Sequence, residues 1–252
     1  MAVAFQALGP TASNATTASL VMTSPSCLAD DILIVTILGK DNLVWTAPNA
    51  SWTSFVQVNN TTAQRLTIAW KRAATGDSAI PYTFVKSADN NVLAFGCITA
   101  WRGCNASATP IDAATPTTSA TASALDTVDY VSFDPAETDA FVVAVGVYNQ
   151  DLTTAGAIGG TNPTFSNNAD VETGAGTDGS IFIYSGASDG SATGGRSHTT
   201  TATVDAINLG CLFGLVKSGG AEPAPAGGQP TMIRGQSVPF LAGYSDRPGK
   251  WN

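Results

Sequence analysis

Charge is scarce in this chain. Only 12% of its 252 residues are charged, about half the usual share of a soluble domain, so Thr, Ser, Asn and Gly must dress the surface. Basic charge is scarcer still: Lys and Arg number 11 against 19 Asp and Glu, a net charge of -8. That balance excludes a body that wraps nucleic acid or lies on anionic lipid, since both need a basic footprint. The only histidine is His198, and a hydrolytic triad needs a His base with an orienting acid beside its nucleophile. The P-loop, the D-x-[DN]-x-[DN]-G calcium loop and the C-x-x-C pair are missing, which removes the usual signatures of P-loop nucleotide, calcium, zinc and redox chemistry. The chain is therefore read as not an enzyme, with no catalytic, cofactor-binding or metal residue assigned. Apolar runs are short as well. None nears the roughly 18 residues that span a bilayer, and Met1 to Met22 lacks the basic start and long apolar centre of a signal peptide.

What is present is strand pattern. Apolar or alternating runs fall at Val3–Leu8, Ser19–Thr23, Asp31–Leu38, Thr53–Val58, Arg65–Arg72, Tyr82–Val85, Val92–Trp101, Thr127–Phe133, Ala140–Tyr148, Pro163–Ser166, Ser180–Ser185, Thr199–Val204 and Leu209–Lys217. Turn formers such as Asn59-Asn60, Gly76-Asp77, Gly159-Gly160 and Asp189-Gly190 separate them. No window holds the helical period of about 3.6 residues. The expected class is all-β, an antiparallel β-sandwich of jelly-roll-like kind.

The strands echo one another. Phe95-Gly96-Cys97-Ile98 matches Leu209-Gly210-Cys211-Leu212, Ile68-Ala69-Trp70 matches Phe182-Ile183-Tyr184, and Asp31-Ile32-Leu33-Ile34-Val35 matches Asp139-Ala140-Phe141-Val142-Val143. Two similar strand sets would pack face to face over one shared core. Cys97 and Cys211 sit in apolar runs and read as buried, reduced thiols; a Cys97–Cys104 bridge across a turn is the alternative. Trp70 and Trp101 lie in strand patterns and read as core. Trp45 and Trp52 flank the Pro48-Asn49-Ala50 turn and read as loop aromatics able to stack on sugar. Asp129, Asp134, Glu137, Asp170 and Glu172 are the carboxylates available to a glycosidase pair, with Asp170 and Glu172 on one face of a strand, but most such acids flank strands and solvate turns.

The body is assigned to residues 1–217. Residues 218–230 (SGGAEPAPAGGQP) read as a Gly/Pro-rich linker, and 231–252 as an extended docking arm. The arm carries Met232, Ile233, Arg234, Phe240, Tyr244, Arg247 and Trp251, apolar and basic residues suited to docking on an acidic neighbour; folding back onto its own sandwich is the alternative.

Six segments follow one another in a recognisable order: Asp30-Asp31-Ile32-Leu33-Ile34, Ser51-Trp52-Thr53, Leu66-Thr67-Ile68-Ala69-Trp70-Lys71-Arg72-Ala73, Pro81-Tyr82-Thr83-Phe84, Ala100-Trp101-Arg102-Gly103 and Pro110-Ile111-Asp112. The series resembles a group of tailed-bacteriophage virion proteins with a GD–apolar strand, GWT, YYKxA, YTF, AYRGV, PID skeleton, over residues 28 to 113. The chain departs from it at Asp30, where Gly is usual, at Trp70 and Trp101, where Tyr is usual, and at Cys104, where Val is usual. The resemblance implies an accessory structural protein of the particle and supplies no catalytic residue. The expectation is a capsid decoration (cement) or head-spike-base protein held through its C-terminal arm, with other virion proteins and its own copies as partners. The alternative is a tail or spike protein that binds host surface glycan through Trp45 and Trp52. No cofactor, nucleic acid or membrane is expected. Assembly in bacterial cytoplasm suits unpaired thiols.

Overall fold

The computed structural model describes residues 1–59, 64–106, 109–112, 127–138, 140–148, 156–172, 179–199 and 208–219. All regular structure among them is antiparallel β. The linker beyond Gly219 and the arm with Met232, Ile233, Arg234, Phe240, Tyr244, Arg247 and Trp251 lie outside the described residues.

Two short strands, β1 (Ala4–Leu8) and β2 (Ala12–Asn14), precede two sets of seven. The first set is β3 (Ser19–Thr23), β4 (Ile32–Gly39), β5 (Trp45–Thr46), β6 (Thr53–Asn59), β7 (Arg65–Arg72), β8 (Pro81–Lys86) and β9 (Ala94–Arg102). The second is β10 (Thr127–Tyr130), β11 (Phe141–Tyr148), β12 (Ala157–Ile158), β13 (Ser166–Glu172), β14 (Ser180–Ala187), β15 (Arg196–Thr199) and β16 (Leu209–Leu215). Each set forms a large sheet and a three-stranded one. The large sheets run β9-β4-β7-β6 and β16-β11-β14-β13, the small ones β3-β8-β5 and β10-β15-β12. Strand for strand the two orders are the same, and in each set the chain passes back and forth between its two sheets in the manner of a jelly roll. Even the irregularities coincide: β6 bulges between Ser54 and Val56, and β13 between Asn167 and Ala169. Both are edge strands, where a bulge twists the open edge away from pairing with another chain.

The sandwich is thus doubled. β4 is buried at all eight positions, the mark of a strand covered on both faces. Ile32, Ile34 and Leu38 face the other set, in a layer shared with Phe95, Cys97, Trp101, Val143, Val145, Val147, Cys211 and Phe213. Leu33, Val35 and Ile37 face the small sheet, against Leu20, Met22, Tyr82 and Phe84. The second set repeats this, with Val142, Ala144 and Tyr148 turned toward Val128 and Tyr130. Four sheets are therefore stacked, small, large, large, small. The echoed glycines explain how the small sheets come so close. A Cβ on Gly96 would lie 2.7 Å from Met22 Sδ, and one on Gly210 would lie 2.3 Å from Val128 Cγ1.

Ring contacts in the shared layer and backbone hydrogen bonds beside it tie the sets together. Phe55 and Phe213 meet edge to face at 5.0 Å. The segment after β9 runs beside β16: Asn105 N donates to Val216 O at 2.8 Å, Val216 N to Pro110 O at 2.8 Å and Asp112 N to Gly214 O at 3.0 Å.

The echo has the right strands but, in two of three cases, a register one residue off. Ile32 pairs with Trp101 as Phe141 pairs with Leu215, so Ile32 corresponds to Phe141 and not to Ala140. Arg72 pairs with Ile32 as Ala187 pairs with Phe141, so Ile68 corresponds to Ile183 and not to Phe182. A slip of one sends every side chain to the opposite face, and in a strand buried on both faces the sequence pattern carries no mark of the error. Pro163–Ser166 is not a strand; the strand begins at Ser166 and runs to Glu172.

Candidate functional site

Residues from the six ordered segments fall into two polar clusters. Asp31 and Arg102 form a two-pronged ion pair, with Nε to Oδ1 and Nη2 to Oδ2 both at 2.8 Å. Leu28 N also donates to Asp31 Oδ2 at 2.8 Å. The pair joins the start of β4 to the end of β9, and its planar fork fixes their relative angle. Asp31's hydrogen bonds hold the Arg102 guanidinium above its ordinary pKa.

A second group gathers on the inward face of the first small sheet. Lys71 Nζ lies 2.8 Å from Asp77 Oδ2 and 3.0 Å from the Tyr82 hydroxyl, which donates to Asp77 Oδ1 at 2.7 Å. Ala74 N gives Asp77 Oδ2 another hydrogen bond, at 2.7 Å. The ammonium stands 4.9 Å from the Tyr82 ring centre and 6.0 Å from that of Trp52, within cation–π range. Burial works against both charges here, but the hydrogen bonds outweigh it, holding Lys71 above and Asp77 below their ordinary values. Trp52 packs edge to face on Tyr82 and Phe84, each at 5.2 Å. Half-buried Cys27 feels both groups: burial raises its thiol pKa, and Asp31 and Asp77 raise it further.

Trp45 and Trp52 do not stand out in solvent. They are 2% and 5% exposed, inside the core of the first small sheet. Stacking on a sugar needs a free ring face, and neither ring has one. Trp101 is fully buried with its Nε1 donating to Thr99 Oγ1 at 2.9 Å, and half-buried Trp70 packs on the same layer.

His198 sits at neither surface nor edge. It lies on β15, the middle strand of its small sheet, fully buried. Its Nδ1 is 2.5 Å from the Tyr148 hydroxyl and its Nε2 3.3 Å from that of Tyr184. The Phe182 ring lies 4.8 Å away. Burial pushes its pKa down to about 4, so at neutral pH it is an uncharged core residue. Cys97, Cys104 and Cys211 are free and buried, and burial pushes each thiol up to about 12.

Among the carboxylates, Asp170 and Glu172 do share the exposed face of β13, and burial raises the pKa of Asp170. Asp129 accepts from Ser197 Oγ at 2.6 Å. Asp189 accepts from Ser191 N at 2.9 Å before Gly190, whose φ is 86°, the turn chemistry expected of an Asp-Gly pair. Among the described residues no three His, Cys, Asp or Glu gather as a metal site. A cavity of about 270 Å³ opens beside the Asp31–Arg102 pair, lined by Leu28, Asp30 and Ser218. A groove of about 410 Å³ runs where the two sets meet, between Phe5, Phe141, Asn168 and Ser185.

Sequence reasoning passed over Asp77 and the buried Lys86. A signal for Lys86 existed: it stands in phase with Tyr82 and Phe84 on β8, at the buried positions of an alternating strand. Comparison with protein-family models, curated proteins and solved structures gives no match.

Proposed function

We propose that this protein is a non-enzymatic structural component of a tailed-phage virion, a capsid decoration or head-spike-base protein. The observation that carries the reading is how the skeleton residues are used. Asp31 binds Arg102, and Trp52, Lys71 and Tyr82 bind one another, so these side chains are spent on holding strands together. A stack of four sheets with little surface charge makes a rigid body with few flexible basic loops for proteases to cut. In this reading residues 231–252 attach the body to neighbouring virion subunits, where many copies gain avidity from a short segment.

The test is a particle purified with and without the arm. Deletion of 231–252 is expected to leave a folded, soluble body that no longer loads onto particles. Normal occupancy of the truncated protein would remove the arm from the reading, and absence of the full chain from purified particles would remove the virion role. A glycan array with the full chain addresses the carbohydrate reading; that reading has no exposed tryptophan at positions 45 or 52 to rest on.

A further inference from the structure

Lys86 differs from Lys71 in what it touches. Its side chain is 0% exposed, at the end of β8 and opposite the buried Trp45 on β5. Its ion-pair partner stands back: Asp41 Oδ2 is 3.5 Å from Nζ. The nearest group is an amide. Asn90 Oδ1 is 2.6 Å from Nζ, and Val92 O follows at 3.1 Å. Asp41 turns instead to the other end of that amide, accepting from Asn90 Nδ2 at 3.1 Å, while Leu43 N donates to its other oxygen at 3.0 Å. An amine thus sits at the acyl oxygen of an asparagine whose nitrogen is held by a carboxylate, with Lys86 and Asp41 buried and Asn90 at the surface beside them.

Those three groups are the ones amide exchange uses. An amine nucleophile requires a base to take its proton and an acid to protonate the departing nitrogen, and one carboxylate can serve both steps. We propose that Lys86 and Asn90 join in an intramolecular isopeptide bond with Asp41 as the proton carrier. Asp41 takes one proton from the Lys86 ammonium, and the freed electron pair of Nζ attacks Cγ of Asn90. The Nζ–Cγ bond forms and the Cγ–Nδ2 bond breaks. The departing nitrogen takes the proton from Asp41 and leaves as ammonia, and the second proton lost from Nζ passes through Asp41 to solvent. Asp41 ends as it began, and nothing is oxidised or reduced. The link ties β8 to the connection that follows it, whose far end is already pinned where Lys40 N donates to Leu93 O at 2.9 Å. It stands independently of the virion reading.

The test is intact-mass measurement of the purified full chain, followed by tryptic mapping. The expected mass is lower than that of the sequence by about 17 Da, one ammonia. In the map, cleavage after Lys86 is lost, and residues 73–102 appear as one fragment carrying the deficit. A mass equal to that of the sequence after prolonged incubation overturns the proposal. So does a deficit that coexists with normal cleavage after Lys86 and disappears in hydroxylamine, since that is a cyclic imide at Asn90. Lys86→Arg is expected to restore the full mass, and a deficit retained there also overturns it. Asp41→Asn, verified as folded by circular dichroism, is expected to abolish or greatly slow the loss of ammonia; an unchanged rate removes Asp41 from the reaction. The wild-type measurement decides the link itself even if a variant fails to fold.

Discussion

The two strand sets share an order of pairing but differ in where they keep charge. The first set holds the ion pairs seen among the described residues: Lys71 with Asp77, Lys86 with Asp41 and Arg102 with Asp31. In the second set the register places Gly186 where the first has Lys71, Arg196 where it has Tyr82, and His198 where it has Phe84. Gly186 leaves room for Pro163 and Thr164 to close over the strand. Arg196 reaches the carbonyls of Gly159, at 2.9 Å, and Asn162. One architecture thus tolerates two interiors. The positions common to both are small or apolar, such as Gly96 and Gly210 or Cys97 and Cys211; the positions that differ are those where a polar group finds a partner within its own set.

The largest expected effect comes from the layer the sets share. Phe213→Ala removes the ring that meets Phe55 across the boundary and should cost about 3–5 kcal/mol in denaturant unfolding. Because that layer belongs to both sets, the loss should appear as one earlier transition; two separate transitions would mean the sets fold independently.

Next comes the buried histidine. Its pKa is about 4 in the fold against an ordinary 6.5. The unfolded chain therefore takes up the proton first as pH falls. The stability His198 contributes is intact above pH 6.5 and declines toward about pH 4, by about 3 kcal/mol at most. His198→Phe, which copies Phe84 of the first set, should flatten stability across that window. The slope from Asp77, held below its ordinary value of 3.8, should remain at lower pH. A variant that still loses stability between pH 6.5 and 4 would place the effect elsewhere.

Lys71→Met leaves the Asp77 carboxylate without its cation, at a cost of about 2 kcal/mol, between that of a surface pair and a buried one. Adding Asp77→Asn should recover part of the loss, and calorimetry of the single and double variants measures it. The smallest expected effect separates the two echoed glycines. Gly210→Ala meets the stiff, branched Val128 at 2.3 Å, whereas Gly96→Ala meets the flexible end of Met22 at 2.7 Å and the Thr36 carbonyl at 2.9 Å, a lesser overlap. The former should lower the unfolding temperature more, by the equivalent of about 1 kcal/mol.

Much of the strand plan was legible because its signals are local. Ser19–Thr23 and Arg65–Arg72 have the expected bounds, and the apolar runs of β4 and β11 are those of strands covered on both faces. β5 and β12 were not legible, since two-residue strands carry no period. β13 hid because only Ala169 and Val171 turn inward from the otherwise polar SNNADVE. At the candidate site, Lys71 and Arg102 were visible as skeleton residues, but their partners were not. Asp77 lies in a turn where an acid is ordinary. Trp45 and Trp52 read as loop residues because turn formers surround them, and only the small sheet folding over them buries their rings.

Asn105 and residues 109–112 belong by sequence to the first set yet lie along the last strand of the second. A single cut between Asp112 and Thr127 would therefore not release either piece. Each fragment would keep its own two sheets, and each would offer the other a large greasy surface plus a ready-made row of backbone partners.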